Sequence, residues 1–355
     1  MIYSIPTVQE LKQNTENGNH KFSVISFFAG GGGSSTGYRM AGGKVFLVNE
    51  FIDEAVKTYK ANWPTTKIIH DDIRKITPEQ VLELSGFKKF ELDIMDGSPP
   101  CSAFSTAGSR EKGWGKTKKY SDKQQENVED LFFEYIRMLR GIMPKVFIAE
   151  NVSGLAKGTA KGYLNDIMRQ LRASGYNVTC KILDAKLLGV PQSRTRTIFV
   201  GIRNDIWRDD MVGKTHPKPL NYMVCLNDAF KGLVFTDNDK KETDLTRYAV
   251  YQLLKTLKEG ETHEKAFTLV KASRNNQSPC IKATTGKIGA RESYHWDNRA
   301  FSVSEVKRIM SIPDDYVLTG SYQQQVERLG RMVAPFMMRA VAQNLLDLGV
   351  FNGNT

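Results

Sequence analysis

The feature that most constrains the fold is a regular alternation of short apolar runs with helical patterns between Lys21 and about Arg203. Strands are predicted at residues 22–28, 44–50, 67–71, 92–95, 146–149, 178–183 and 197–202. Helices are predicted between them at 34–41, 53–62, 78–84, 124–141 and 163–174. Strands alternating with helices imply an α/β fold: a doubly wound, mostly parallel sheet covered on both faces. Ligands on such sheets sit outside the carboxyl ends of the strands. After Asn204 the alternation stops, and residues 205 to about 295 are polar and irregular, with one helical pattern near 248–258. Regular patterning resumes near Phe301, and 333–348 reads as an amphipathic C-terminal helix. The expected organisation is therefore a large domain from 1–203 plus 322–355 and a smaller one from 204–321.

Composition narrows the class. A chain of 355 residues is long enough for one large and one smaller domain. No apolar run approaches the roughly 20 residues needed to cross a bilayer, and residues 1–20 are polar without a signal-peptide core, so a cytoplasmic protein is expected. Its four cysteines, Cys101, Cys180, Cys225 and Cys280, are far apart, which disfavours a disulfide framework or a structural metal site. A formal net charge of +11 points to a polyanionic partner such as nucleic acid.

One cysteine stands apart. In Gly97-Ser98-Pro99-Pro100-Cys101-Ser102, two prolines stiffen the turn after an apolar strand and present a thiol at the strand's end. A free cysteine is also commonly a small buried hydrophobe, and this stretch alone leaves both readings open. Residues 108–123 follow it as a glycine-rich basic loop, whose charge suits a lid meeting phosphate as well as a solvated surface.

A second cluster concerns a cofactor. Phe28-Ala29-Gly30-Gly31-Gly32-Gly33 follows the first strand and opens the first helix, where glycines permit a tight turn and close ligand approach. The second strand ends in Glu50-Phe51, the position that reads ribose hydroxyls in nucleotide-binding sheets. The third ends in Asp71-Asp72-Ile73, which offers an acceptor for an exocyclic amine. Together they point to an adenosine-containing cofactor, and the absence of Gly-Lys-Ser/Thr disfavours a P-loop.

Two more clusters share the carboxyl edge: Glu150-Asn151-Val152 and Gln192-Ser193-Arg194-Thr195-Arg196. A thiolate can add to an electron-poor ring carbon, a carboxylic acid can donate to a ring nitrogen, and arginine can bind a carbonyl oxygen.

With these motifs in order, joined by Leu131-Phe132-Phe133, Arg299-x-Phe301-Ser302-x-x-Glu305 and Ile312-Pro313, the chain resembles the DNA cytosine-5 methyltransferases over most of its length. The resemblance implies that Cys101 attacks C6 of a flipped-out cytosine, Glu150 serves N3, and Arg196, supported by Arg194, holds O2. It implies S-adenosylmethionine along Phe28, Ala29, Gly30, Gly31 and Gly33, with Glu50 on the ribose, Phe51 against the adenine, and Asp72 and Ile73 at its edge. Pro100 and Leu131 would line the same pocket. The partner implied is double-stranded DNA, read by residues 205–295, with the protein acting as a monomer; a cognate restriction endonuclease is a candidate partner outside this chain. Lys271, Arg274, Asn275, Asn276 and Lys282 are candidate base readers or simply a solvated polar face. One departure stands in Gly330-Arg331-Met332-Val333-Ala334-Pro335, where the family usually has asparagine at the Arg331 position. The alternatives are a tRNA cytosine-5 methyltransferase, which the catalytic residues do not distinguish, and a non-catalytic DNA-binding protein that kept the fold.

Overall fold

The computed structural model describes residues 3–16, 18–100, 118–119, 124–125, 130–156 and 161–352. Cys101 and most of the basic loop 108–123 lie outside the described residues. The first part of the chain runs α1 (Val8–Glu16), β1 (Phe22–Phe27), α2 (Gly33–Met40), β2 (Gly43–Asn49), α3 (Asp53–Asn62), β3 (Lys67–Ile69), α4 (Pro78–Ser85) and β4 (Ile94–Gly97). It continues through β5 (Lys118–Lys119), β6 (Gln124–Gln125), α5 (Leu131–Ile142), β7 (Val146–Val152), α6 (Lys161–Ala173), β8 (Tyr176–Asp184) and β9 (Thr195–Arg203).

Seven of these strands form one sheet in the order β3-β2-β1-β4-β7-β9-β8. All neighbours are parallel except at β9, which runs antiparallel to both β7 and β8. The sheet is buried on both faces, as continuous apolar strands require. On one face Val24, Ile94, Ile148, Ile198 and Val200 pack with Tyr38 of α2 and with residues near the C-terminus such as Met337 and Val341. On the other, Ile25, Met95, Phe147 and Phe199 pack with Ile136, Leu139, Ile167 and Leu171 of α5 and α6.

Helix α5 corrects one expectation. It begins at Leu131 and not at Gln124, and Gln124–Gln125 instead pairs with Lys118–Lys119 in a two-stranded ladder. The run Gln124-Gln125-Glu126-Asn127 has no apolar residue to bury, whereas Leu131, Phe132, Tyr135, Ile136, Met138, Leu139 and Ile142 make a continuous buried stripe.

The remainder runs α7 (Leu226–Ala229), α8 (Asp237–Thr243), α9 (Ala249–Thr256), β10 (Thr262–His263), β11 (Ala266–Lys271), β12 (Ser293–Tyr294), α10 (Val303–Ile309), α11 (Tyr322–Arg331) and α12 (Pro335–Asp347). Strands β10, β11 and β12 form a small sheet. Leu245, Val250, Leu254, Leu269 and Tyr294 give it a core of its own. Residues 301–316 pack elsewhere: Phe301, Val306, Ile309 and Ile312 join the core of the large sheet. Helix α12 returns to lie on α2, and the contact is close because Gly37 has no side chain; a Cβ there would stand 2.4 Å from the Pro335 carbonyl oxygen. Among the described residues no helix is long and apolar enough to cross a membrane.

Candidate active site

The reversed strand decides where the site forms. Because β9 runs against β7, its first residues lie beside the last residues of β7, with Arg196 opposite Val152 and Ile198 opposite Glu150. Side chains two apart share a face of a strand, so Arg196 and Glu150 emerge on the same side. Arg196 Nε meets Glu150 Oε1 at 2.7 Å, with the two side chains only 16% and 11% exposed. A second guanidinium nitrogen, Nη1, donates to the Thr195 carbonyl at 2.8 Å and fixes the fork. At this burial a charge-assisted pair is held far more firmly than a surface ion pair.

Asn151 ties this edge to the segment that carries the cysteine. Its Nδ2 donates to the Pro99 carbonyl at 3.2 Å, and its Oδ1 accepts the Val152 N–H at 2.9 Å. Pro99 is buried and Pro100 half-buried, so the chain is anchored up to the residue that precedes Cys101. The structure thus brings Glu150 and Arg196 together and anchors Pro99 to the same edge; Cys101 itself lies outside the described residues.

The other members of Gln192-x-Arg194-x-Arg196 face inward. Gln192 is fully buried, accepts the Ile281 N–H at 2.9 Å and donates to Met310 Sδ at 2.9 Å. Arg194 is 2% exposed; its Nη1 donates to the Ile281 carbonyl at 2.9 Å, and its Nη2 to the Gly330 and Met332 carbonyls at 3.0 and 2.9 Å. Burial lowers its pKa to about 10, with the neighbouring Arg196 charge adding to the effect. The motif therefore splits: Gln192 and Arg194 fasten residues near 281 and 330 to the sheet, and Arg196 faces the site.

Along the other half of the edge, the first strand turns through Phe28 at φ 55° and Gly30 at φ 56°. At Gly30 an added Cβ would meet nothing within 4 Å, so the backbone there looks onto open space. Gly31 and Gly33 instead touch the C-terminal segment: a Cβ would stand 2.1 Å from Met332 Cε and 2.2 Å from the Val333 carbonyl oxygen, respectively. Ala29 is buried and donates its N–H to the Asn49 carbonyl at 3.1 Å. Glu50 accepts three backbone N–H groups, from Gly30 at 2.6 Å and from Phe51 and Ile52 at 2.8 Å each. Burial raises its pKa, and those three donors pull it back. Phe51 is half-buried. Asp72 accepts the Arg74 N–H at 3.0 Å and its guanidinium at 3.2 Å. The Ile73 and Leu131 side chains are packed in the core beneath the sheet. Arg331, at the position of the expected asparagine, pairs outward with Glu327 at 2.8 Å.

Among the candidate base readers, Lys271 is buried with its ammonium on the Leu257 carbonyl, and Lys282 is paired with Glu292 at 2.6 Å. Arg274 forks onto Glu259 at 2.7 Å and lies over the Trp296 ring. Asn275 N donates to Ser273 Oγ, and the Asn276 carbonyl accepts the Leu226 N–H at 3.0 Å.

Sequence reading missed one buried group close to this edge. Asp96 is 1% exposed on β4 and accepts hydroxyls from Ser26 at 2.6 Å and Tyr38 at 2.8 Å. Its signal was an acid interrupting the apolar strand five residues before Cys101.

Comparisons with known proteins show the family. The family model described as C-5 cytosine-specific DNA methylase matches residues 22–347. The chain is 27% identical to the Type II methyltransferase M1.HphI of Haemophilus parahaemolyticus, over 92% of this chain and 87% of that one. It is 29% identical to the Type II methyltransferase M.NgoPII of Neisseria gonorrhoeae, over 82% and 86%. In fold it matches a protein of an Escherichia coli prophage titled a DNA modification methyltransferase, with a TM-score of 0.73 at 19% identity, over 92% of this chain and 99% of that one.

Proposed function

Because the chain belongs to the C-5 cytosine-specific DNA methylase family, and is on that ground a DNA cytosine-5 methyltransferase, we propose that it works through a covalent Cys101 adduct on a flipped-out cytosine. The observation that carries this reading is the Arg196–Glu150 pair at 2.7 Å, set on the edge to which Asn151 anchors the Pro99 carbonyl. A base entering that edge meets an acid and a guanidinium already aligned. Glu150 serves N3 and Arg196 the O2 carbonyl, while Arg194 acts behind them by holding the strand in place.

The chemistry balances on these groups. The Cys101 thiolate adds to C6, the C5=C6 electron pair moves to C4–C5, and the C4=N3 pair moves to N3, which takes the Glu150 proton. S-adenosylmethionine, when bound, would supply an electrophilic methyl group to C5, made electron-rich by the adduct, and would leave as the neutral thioether S-adenosylhomocysteine. Glu150 recovers its proton from N3, and transfer of the C5 proton to water restores C5=C6 and expels Cys101 as thiolate. Extruding the base from the stack costs a few kcal/mol.

The strand ends suit an adenosyl methyl donor. Open space over Gly30 lets a ligand approach the backbone, and Glu50 Oε2, which accepts only the Gly30 N–H, keeps acceptor capacity for a ribose hydroxyl, whereas Oε1 is taken by the Phe51 and Ile52 N–H groups. Phe51 would lie against the adenine, with the Asp72 carboxyl and the Ile73 backbone at its edge. Gly31 and Gly33 serve by packing the turn against Met332 and Val333. Residues 204–321 would carry target recognition, and the Type II names of the relatives favour a short duplex sequence as the target.

Bisulfite sequencing of DNA from a methylation-free host expressing the protein tests the reading. Converted cytosine is expected everywhere except at one short motif, and Cys101→Ala should erase that protection. Protection that survives Cys101→Ala at the wild-type level refutes the covalent mechanism.

A further inference from the structure

The cations of residues 204–321 divide by what they touch. Lys240 pairs with Asp237 at 2.8 Å, Arg274 with Glu259 at 2.7 Å and Lys282 with Glu292 at 2.6 Å, so their charges are met from within the chain. Lys241, Arg247 and Lys287 differ: all three are exposed, and among the described residues none of them is in an ion pair. They come from separate places, the end of α8, the turn before α9 and the turn at residues 284–290, yet they line one open groove of about 530 Å³. Arg247 is steadied by the Tyr248 ring, 5.7 Å from its guanidinium. Two acids share the groove, both half-buried. Asp244 is turned back onto the Thr246 N–H and hydroxyl, which, with Arg247 nearby, hold its carboxyl below the usual carboxylate range. Glu242 lies near the Tyr322 ring and adds to what raises that phenol. The exposed rim is therefore cationic.

Helix α11 ties this groove to the edge that holds Glu150 and Arg196. Its last turn gives the Gly330 carbonyl to Arg194, two residues before Arg196. Gly330 also lies against residue 282, where an added Cβ would stand 2.4 Å from the Lys282 carbonyl oxygen. Gly286 lies against the first half of the helix, where a Cβ would stand 2.9 Å from the Gln323 carbonyl oxygen and 3.0 Å from Val326 Cβ. Residues 282–286 thus run back along α11, from the edge to the groove. The rise from Gln323 to Gly330, at 1.5 Å per residue, is about 10 Å, or about three base-pair steps at 3.4 Å each. A duplex that delivers a base to the edge has backbone within reach of the groove.

We propose that Lys241, Arg247 and Lys287 form a clamp for the sugar–phosphate backbone of the duplex that flanks the target cytosine, about three base pairs from it. This rests on the reading that the target base enters at Glu150 and Arg196. Phosphates repeat along a strand and carry no sequence, so exposed cations on separate segments suit them, whereas base edges need fixed hydrogen-bonding geometry. Small-molecule sites are enclosed and mostly apolar, and this groove is open and charged. The clamp touches no reacting atom and acts on affinity alone.

The test is the salt dependence of DNA affinity, measured without cofactor on the full chain with two duplexes. One carries the motif protected in bisulfite sequencing, and the other carries the same bases scrambled. Each phosphate contact contributes about 0.9 to the fall of log K with log salt. The triple variant Lys241→Gln, Arg247→Gln, Lys287→Gln should flatten that slope by about two to three on both duplexes. Raising salt from about 50 to 200 mM then costs the wild type roughly 10- to 40-fold more affinity than the variant. Single-turnover methyl transfer at saturating DNA should stay at the wild-type rate. The charge-keeping triple Lys241→Arg, Arg247→Lys, Lys287→Arg should retain the wild-type slope, which separates charge from any loss of fold. An unchanged slope in the glutamine variant overturns the proposal. So does a slope lost in the charge-keeping variant, or a loss confined to the motif duplex, which would make these residues base readers. A wild type that methylates nothing, while the glutamine variant still flattens the slope on the scrambled duplex, refutes the catalytic reading and leaves the clamp. Intact methylation with an unmoved slope refutes the clamp alone.

Discussion

Replacing Arg194 with methionine separates holding from reacting. The guanidinium makes three hydrogen bonds, at 2.9, 3.0 and 2.9 Å, to the Ile281, Gly330 and Met332 carbonyls, and it is fully enclosed. Charge-assisted bonds of this kind contribute about 1.5–3 kcal/mol each. Against them stands the cost of burying the cation, several kcal/mol. Methionine recovers the volume and none of the donors, and it leaves three buried carbonyls unpaired. The expected net loss is about 3–5 kcal/mol, in line with removing one partner of a buried charged arrangement. With an unfolding entropy of about 2.1 cal/mol/K per residue over 355 residues, that loss lowers Tm by roughly 4–7 °C in differential scanning calorimetry. Methyl transfer at a temperature where the variant is still folded should remain within about tenfold of wild type. Arg196→Met should differ in activity rather than in stability: it leaves the Glu150 carboxylate without its partner and lowers Tm by a comparable few degrees, while methyl transfer is lost even where the variant is folded. An Arg194→Met protein with unchanged Tm and no activity would refute this division and move the Arg194 guanidinium to the substrate.

Glu50→Gln removes an acceptor shared by three backbone N–H groups; calorimetric titration with S-adenosylhomocysteine should show affinity lowered by about tenfold or more, near 1.4 kcal/mol, and unchanged affinity would dissociate Glu50 from the cofactor. Gly33→Ala, whose Cβ would stand 2.2 Å from the Val333 oxygen, should cost about 1–3 kcal/mol of stability, whereas Gly30→Ala, facing open space at φ 56°, should lose about 1–2 kcal/mol to backbone strain together with cofactor affinity; equal Tm and affinity in the two variants would contradict the split. Asp96 is raised by burial from 3.8 to about 7, so its contribution favours the fold below about pH 4 and fades as pH rises toward 7. Asp96→Asn should therefore gain on wild type by up to about 4 kcal/mol across that window and by nothing further above it, and a gap independent of pH in urea titrations would show that Asp96 keeps its ordinary affinity for protons.

Strand positions were legible because each buried strand is a short apolar run with no competing pattern, and 22–28, 44–50 and 146–149 recur as β1, β2 and β7. Helix α5 was over-extended because polar residues 124–127 carry no periodicity to set its start; only the buried stripe from Leu131 does. The roles within Gln192-x-Arg194-x-Arg196 were not separable from spacing. Arg194 precedes the first ladder pair of β9, Asp184 with Thr195, so strand alternation does not govern its direction. Asp96 showed in the sequence only as an acid interrupting an apolar strand; its buried hydrogen bonds were not legible because its donors, Ser26 and Tyr38, lie 70 and 58 residues away in the chain.

Strand direction is the property an apolar run does not carry, and here it determines the site. β9 spans nine residues, about 30 Å at 3.3 Å per residue. Had it run parallel to β7, Arg196 would open at the far end of the sheet, out of reach of Glu150. The connection of residues 185–194 between β8 and β9 reverses the chain and sets Arg196 opposite Val152. On the inward side of the same turn, Gln192 and Arg194 bind the backbone at Ile281, Gly330 and Met332. One short segment thus positions the guanidinium at the reacting edge and fixes the two later parts of the chain that close around it. Met332, held by Arg194 through its carbonyl, is also the side chain that abuts Gly31 of the turn after β1. On the proposed function, the cofactor side and the base side of the edge would therefore be referenced to a single connection, which is what aligned transfer between two bound groups requires.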